Sequence, residues 1–122
     1  MNVVVGRIFL RDHPTAAHLQ LGTINGHQVV VGRHYDEGTL GFFIPDGAIV
    51  PDNLAEEMWV KGKLSGKNKD RVKAREMYGV FSEGLFYGSR YHVAGVYQDS
   101  KSWNPSWVEG HIIEVGIDGR LS

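Results

Sequence analysis

The sequence predicts an all-β domain carrying one short helix, its strands rolled into a small barrel, with residues 1–122 forming a single unit. Three observations predict it. Clusters of Val, Ile, Phe and Tyr recur at intervals of about 8–12 residues, the spacing of short strands joined by tight turns. Sixteen glycines punctuate those clusters. Only one stretch carries a helical pattern, so a plan of alternating strands and helices has too few helices to stand.

The elements follow in order. "NVVVGRIFL" is the first strand, with Gly6 as a bulge or bend. "HLQLGTI" alternates apolar and polar residues and runs into Asn25-Gly26, a dipeptide suited to a two-residue hairpin. "HQVVVG" returns as the next strand, and "GTLGFFIP" is a fourth, ended by "PDG". "PDNLAEEMW" is the helix. Asp52 is its expected N-cap, Glu56 and Glu57 lie near the positive end of the dipole, and Leu54, Met58 and Trp59 supply an apolar face. "DRVKAREM" and "GVFSEGLFYG" read as two more strands. "RYHVAGVYQ" and "WVEGHIIEVGI" read as a final pair on either side of the polar loop "DSKSWNP".

The totals exclude some function classes. With a net charge of −1, any electrostatic attraction to nucleic acid must be local. The absence of cysteine removes disulfides and thiolate metal sites. The start "MNVVVGRIFLRDHP" is too short and too charged for a signal peptide, and no stretch reaches the roughly 20 apolar residues of a membrane-spanning helix. A cytoplasmic protein with no membrane association is the expectation.

Charge is concentrated in one place. Lys61, Lys63, Lys67, Lys69, Arg71, Lys73 and Arg75 fall within fifteen residues, against Asp70 alone. Two readings stand. The stretch either presents cations to phosphates, or is a solvated loop with no core to join. The alternation of Arg71, Lys73 and Arg75, which sets three cations on one face of a strand, favours the first.

Other chemistry finds less support. The six histidines (13, 18, 27, 34, 92 and 111) show no i, i+4 helical pair of the kind that grips zinc, so neither metal nor cofactor is expected. Ser82-Glu83 with His92 lacks a nucleophile elbow, and no further carboxylate joins them. "GIDGR" has Gly116 where a nucleotidyltransferase signature requires its lysine nucleophile, so no covalent nucleotidyl intermediate can form there. Most of the late aromatic residues belong in the core, some beside the basic strand could stack on bases, and Trp103 and Trp107 are the expected surface or interface pair.

"GHQVVVG", "GFFIPDGAIVP", the short helix and "GKLSGKNKDRVKAREMYGVFSEGL" together resemble the N-terminal OB-fold module of nick-sealing RNA ligases. Arg71, Val72, Lys73, Ala74, Gly79, Val80, Ser82, Gly84 and Leu85 match that family's most recognisable run. "SWNPSWVEGHIIEVGI" resembles the segment leading out toward the catalytic domain. More distantly, His13, Pro14, Ala16 and Leu19 match the "HPxAxxL" of the tRNA-binding OB modules found on aminoacyl-tRNA synthetases and as free dimers. Gly47 to Pro51 and Gly79 to Gly84 resemble those modules too, and Glu83 agrees with them where the ligase version often has Gln. Tyr78 stands where the family usually has a further Arg.

The resemblance implies a small OB-fold-like β-barrel and a non-catalytic nucleic-acid-binding role, with RNA (a tRNA, or a nicked or structured duplex) as partner. The residues implied in binding are Lys61, Lys63, Lys67, Lys69, Arg71, Lys73, Arg75, Ser82 and Glu83. A separate catalytic partner protein and a homodimer are further expectations. The alternative is a free-standing protein that takes a nucleotide-like ligand or a protein partner, which the near-neutral charge favours.

Overall fold

The structure is a computed structural model that describes residues 2–121. β1 (Asn2–Arg7) and β2 (Phe9–Asp12) form one continuous run. It breaks at the fully buried Ile8 rather than at Gly6, which stays in β1 opposite Gly41. β2 pairs with β3 (Leu19–Ile24), and β3 with β4 (His27–Gly32), across Asn25-Gly26. Both turn residues have positive φ, 49° and 82°, the backbone that lets a two-residue hairpin follow the twist of its strands.

The second sheet has β5 (Leu40–Pro45) near its centre, in the order β11-β1-β5-β8, with β8 at Gly84–Gly88 and β11 at Ile112–Glu114. All its neighbours are antiparallel. Two small hairpins complete the β structure: β6 (Arg75–Met77) with β7 (Val80–Ser82), and β9 (Arg90–Val93) with β10 (Val96–Asp99). α1 spans Asp52–Glu57.

The all-β class with one short helix holds, but the sheets do not close into the expected barrel. β4 approaches β7 and β8 without forming a ladder. One main-chain bond crosses there, from Glu83 N to Gln28 O at 2.8 Å, and the Ser82 hydroxyl accepts from Val30 N at 3.1 Å.

Two apolar clusters lie on opposite faces of β5. Phe42 and Ile44 join Val5, Val50, Leu54, Val72 and Tyr87 on one side, and Phe43 joins Ile8, Ile24, Val29 and Phe86 on the other. A strand buried on both faces needs apolar residues at consecutive positions, which accounts for the unbroken run in "LGFFIP".

Several expected elements differ. Pro51, not Asp52, is the N-cap residue and makes no side-chain cap bond, while Asp52 sits in the first turn, where the dipole still favours its charge. "DRVKAREM" is a strand only over its last three residues, because its first half is drawn into pairing with residues 47–50. "RYHVAGVYQ" folds back on itself at Ala94-Gly95 to make β9 and β10. "WVEGHIIEVGI" supplies only β11, which pairs with β1. Trp103 and Trp107 are half-buried rather than a surface pair; their rings lie 5.9 and 5.7 Å from that of Phe42 and extend the first core. Among the described residues, no helix is long and apolar enough to cross a membrane.

Glu57 fastens the helix to the loop after β10. Its carboxylate accepts from the Tyr87 hydroxyl at 2.7 Å, from Lys101 N at 2.7 Å and from Ser102 N at 2.9 Å. Partial burial pushes the carboxyl up, but the Tyr87 hydroxyl and those amides outweigh it and hold the group below its ordinary value of 4.5. A carboxylate depressed in the fold stabilises it above the unfolded value, and that contribution is lost as pH falls through the folded value. Thermal melts of the wild type should therefore lose this contribution as pH falls below 4.5. Glu57→Gln should lower stability at neutral pH by about 1–3 kcal/mol and show a shallower acid decline.

Gly84 supplies a second test. It lies opposite Pro45, and a Cβ there would run into the carbonyl oxygen of Ile44 in the neighbouring strand. Gly84→Ala should destabilise the fold by about 1–3 kcal/mol or more in urea unfolding, since backbone within a ladder cannot yield as a side chain would.

Candidate nucleic-acid interface

The cationic stretch is a loop with a pinned stem. Ser65 and Arg71 exchange two main-chain bonds of 2.9 Å, which closes the tip at residues 66–70. Below them, Val72 N donates to Ala48 O and Gly47 N to Val72 O, each at 2.8 Å, while Val50 N donates to Asp70 O at 2.9 Å. Val72 is 1% exposed in the first core, and the Asp46 carboxylate caps Ala74 N at 2.8 Å. The alternation seen in the sequence survives without a regular strand: Arg71, Lys73 and Arg75 are exposed, and Val72 points inward.

The seven cations separate into three groups. Lys61 is engaged by the helix, 2.9 Å from Glu56 Oε1 and 4.0 Å from Asp52, and the bond to Glu56 raises its pKa. Arg71 donates to Gly47 O at 2.8 Å, which turns its side chain toward the stem. Lys63, Lys67, Lys69, Lys73 and Arg75 make no ion pair or side-chain hydrogen bond among the described residues. Lys67 and Lys69 stand at the exposed tip. Lys63, Lys73 and Arg75 line one cleft of about 240 Å³, floored by Val60, Leu64, Met77 and Leu85.

Ser82 and Glu83 lie at the seam beside this cleft; the Ser82 hydroxyl is buried, while the Glu83 carboxylate stays part-exposed and is engaged by neighbouring groups. The Ser82 hydroxyl accepts from Val30 N and donates to Gly84 O at 3.0 Å. The Glu83 carboxylate accepts from Gln28 N at 2.8 Å and lies 3.2 Å from His27 Nδ1; the Gln28 amide above all holds its carboxyl below the usual range. The structure thus gathers Lys63, Lys73 and Arg75 at one cleft, leaves Lys67 and Lys69 exposed at the loop tip, and gives Ser82 and Glu83 partners within the protein.

A second cleft, of about 300 Å³, adjoins the first. The two share Val60, Met77 and Leu85. It runs to His34, Tyr35, Met58 and Trp59. Trp59 is 47% exposed, not buried with the helix face as its position after "LAEEM" led one to expect. It follows the helix with φ 58°, in the left-handed region that ordinarily falls to glycine at a helix end. The sequence signal was there, a bulky ring immediately past the last helical turn, but helical periodicity assigned it inward.

No group of three or more His, Asp or Glu side chains gathers as a metal site among the described residues. His13 is 5% exposed, and its ring serves the fold: Nδ1 accepts from Thr15 N and Ala16 N, and Nε2 donates to Met77 O at 3.0 Å.

No protein-family model matches the chain, and no curated protein does. Solved structures do. An RNA ligase from Naegleria gruberi, as a mutant with ATP and Mn, superposes with a TM-score of 0.54 at 19% identity, covering 69% of this chain and 27% of the ligase. A second mutant with ATP and Mn gives 0.56 over 70% of this chain and 27% of that one. The same ligase with pyrophosphate gives 0.54 over 69% and 26%. The chain therefore spans about a quarter of the length of these ligases, and what it has in common with them is a fold.

Proposed function

We propose that this domain is a non-catalytic nucleic-acid-binding module of OB-like plan that grips the phosphate backbone of RNA. The observation that carries the reading is the cleft beside β6–β8, where Lys63, Lys73 and Arg75 stand together without acidic partners, with Lys67 and Lys69 exposed at the tip of the same loop. Cations that already face carboxylates release no counterions on meeting phosphate. These five are available to do so. The fold likeness to RNA ligases supports RNA as the partner and a catalytic partner protein alongside it. The near-neutral total is compatible with this role, because attraction within about 8 Å at physiological salt depends on the local field. Contacts of this kind set position and register rather than sequence.

Fluorescence anisotropy with labelled single-stranded RNA, nicked duplex and tRNA across a salt series tests it. Lys63→Ala/Lys73→Ala/Arg75→Ala should weaken binding and reduce the slope of log K against log salt by about 2–3, since each phosphate contact contributes about 0.7 to 0.9. Lys61→Ala, already neutralised by Glu56, should change the slope little. An unchanged slope in the triple variant with intact circular dichroism would sink the reading. Binding of a small nucleotide or a protein, with no RNA bound at low salt, would replace it.

A further inference from the structure

We infer that the Trp59 end of the joined clefts is a stacking site for an unpaired nucleobase, which makes this a reader of single-stranded segments; the inference rests on the phosphate-binding reading above. Trp59 projects at the boundary of two cavities, the 300 Å³ cleft continuous with the cations and one of about 380 Å³ on the side of Asn53, Tyr91 and Ser102. The residue is 47% exposed. Tyr91 meets it edge-on, centroids 5.4 Å apart at 86°, and His34 is tilted at 57° and 4.9 Å. Neither ring is stacked parallel on the indole, so no aromatic stack within the protein already uses it. Aromatic platforms next to a cationic track are how single strands are held without sequence preference, since every base has a π-face.

The cleft suits that occupant. Its floor is apolar and nearly closed to solvent at Val30, Val31, Tyr35 and Phe86. Its volume stands at the lower end for small-ligand pockets, about 300–1,000 Å³. Burial, and then the nearby His92, lower the pKa of His34, so this wall is a neutral ring at physiological pH. The charge lies at the other end, at Lys63, Lys73 and Arg75, past the shared residues Val60, Met77 and Leu85. An anionic backbone with a splayed-out base matches that gradient from charged to apolar. A duplex does not, because its bases are already stacked on one another.

The left-handed backbone of Trp59 is a further mark. A bulky residue at φ 58° is strained, and such strain persists where the surroundings hold it in place, most often at ligand sites.

The test compares three labelled probes of equal length: a single-stranded oligonucleotide, an abasic sugar–phosphate strand and a blunt duplex. The wild type should bind the single strand tightest, with quenching of Trp fluorescence. Trp59→Ala should weaken single-strand binding by about five- to a hundredfold, the range of one base–aromatic stack, and leave the abasic strand and duplex unchanged. Trp59→Phe should retain most of the affinity, and Trp59→Gly, suited to the left-handed backbone, stands in if the alanine variant unfolds. Equal losses on all three probes, or none on the single strand, would overturn the stacking site while leaving the phosphate-binding reading in place. Failure of the wild type to bind any probe at low salt would remove both.

Discussion

The hydrogen bond from Glu83 N to Gln28 O is the constraint around which the rest of the structure is arranged. Among the described residues it is the one main-chain bond across the seam between β4 and the β7–β8 segment. Gln28 N returns a bond to the Glu83 carboxylate, and the Gln28 side-chain amide donates to Phe81 O at 2.9 Å. A full ladder would hold these strands about 4.8 Å apart along their whole length and leave no opening. The cleft that reaches Trp59 is lined from both sides of this seam, by Val30, Val31 and Gly32 of β4 and by Leu85 and Phe86 of β8, whereas the cationic cleft is lined from the β6–β8 side without β4. The open seam and the cleft beneath Trp59 are thus linked, because β4 and β8 each supply part of that cleft's wall. Ser82, 3% exposed with its hydroxyl spent on Val30 and Gly84, keeps that end shut.

The groove needs support from behind, because the β6–β7 hairpin that forms one wall is only three residues a side. The loop before β3 provides it. His13 donates to Met77 O, the Thr15 hydroxyl donates to Tyr78 O at 2.9 Å, and the Tyr78 ring meets His13 and His18 edge-on. A buried ring whose two nitrogens serve three backbone groups is a rigid brace. This is a structural use for "HPTA", a string that in the sequence carried only a distant resemblance and the thought of a metal. On the far side, the stem pairing of residues 71–72 with residues 47–50 holds the cationic loop against the first core through Val72.

Elements with a local cause were legible in the sequence. Asn25-Gly26 specified its hairpin because the turn alone dictates positive φ at both residues, and "LGFFIP" announced a strand buried on both faces. The extent of "DRVKAREM" as a strand was not legible. Its alternation is real, but the partner that claims Arg71 and Val72 is a non-repetitive segment some two dozen residues earlier, and no local pattern records that pairing. Trp103 and Trp107 were misplaced for a related reason. Flanking polar residues describe the loop, whereas the rings obey the Phe42 surface beneath them. In the candidate site the cations were visible as composition. Their division into Lys61 held by Glu56, Arg71 held by Gly47 and five unpaired residues depends on tertiary neighbours.

That division bears on how much binding charge alone can supply. Five unpaired cations on a chain of net charge −1 make a short electrostatic footprint, and only Lys63, Lys73 and Arg75 converge on a cleft. Contacts this few belong to the regime of non-specific binding, with dissociation constants of about 10⁻⁴ to 10⁻⁶ M at physiological salt. A protein restricted to that term would gain by adding lysines, yet Lys61 is neutralised and the wall beyond Leu85 is apolar and aromatic. Such a wall contributes nothing to the recognition of a duplex exterior, whose surface is phosphate and sugar. It contributes where bases are unstacked, and that term is insensitive to salt because it releases no counterions. On the proposed reading, coupling a small salt-dependent term to a salt-independent one makes a module whose affinity is modest on intact duplex and rises where a strand is open. That proposal rests on the separation of charge and rings across the two clefts, with Lys63, Lys73 and Arg75 lining one and Trp59 the other.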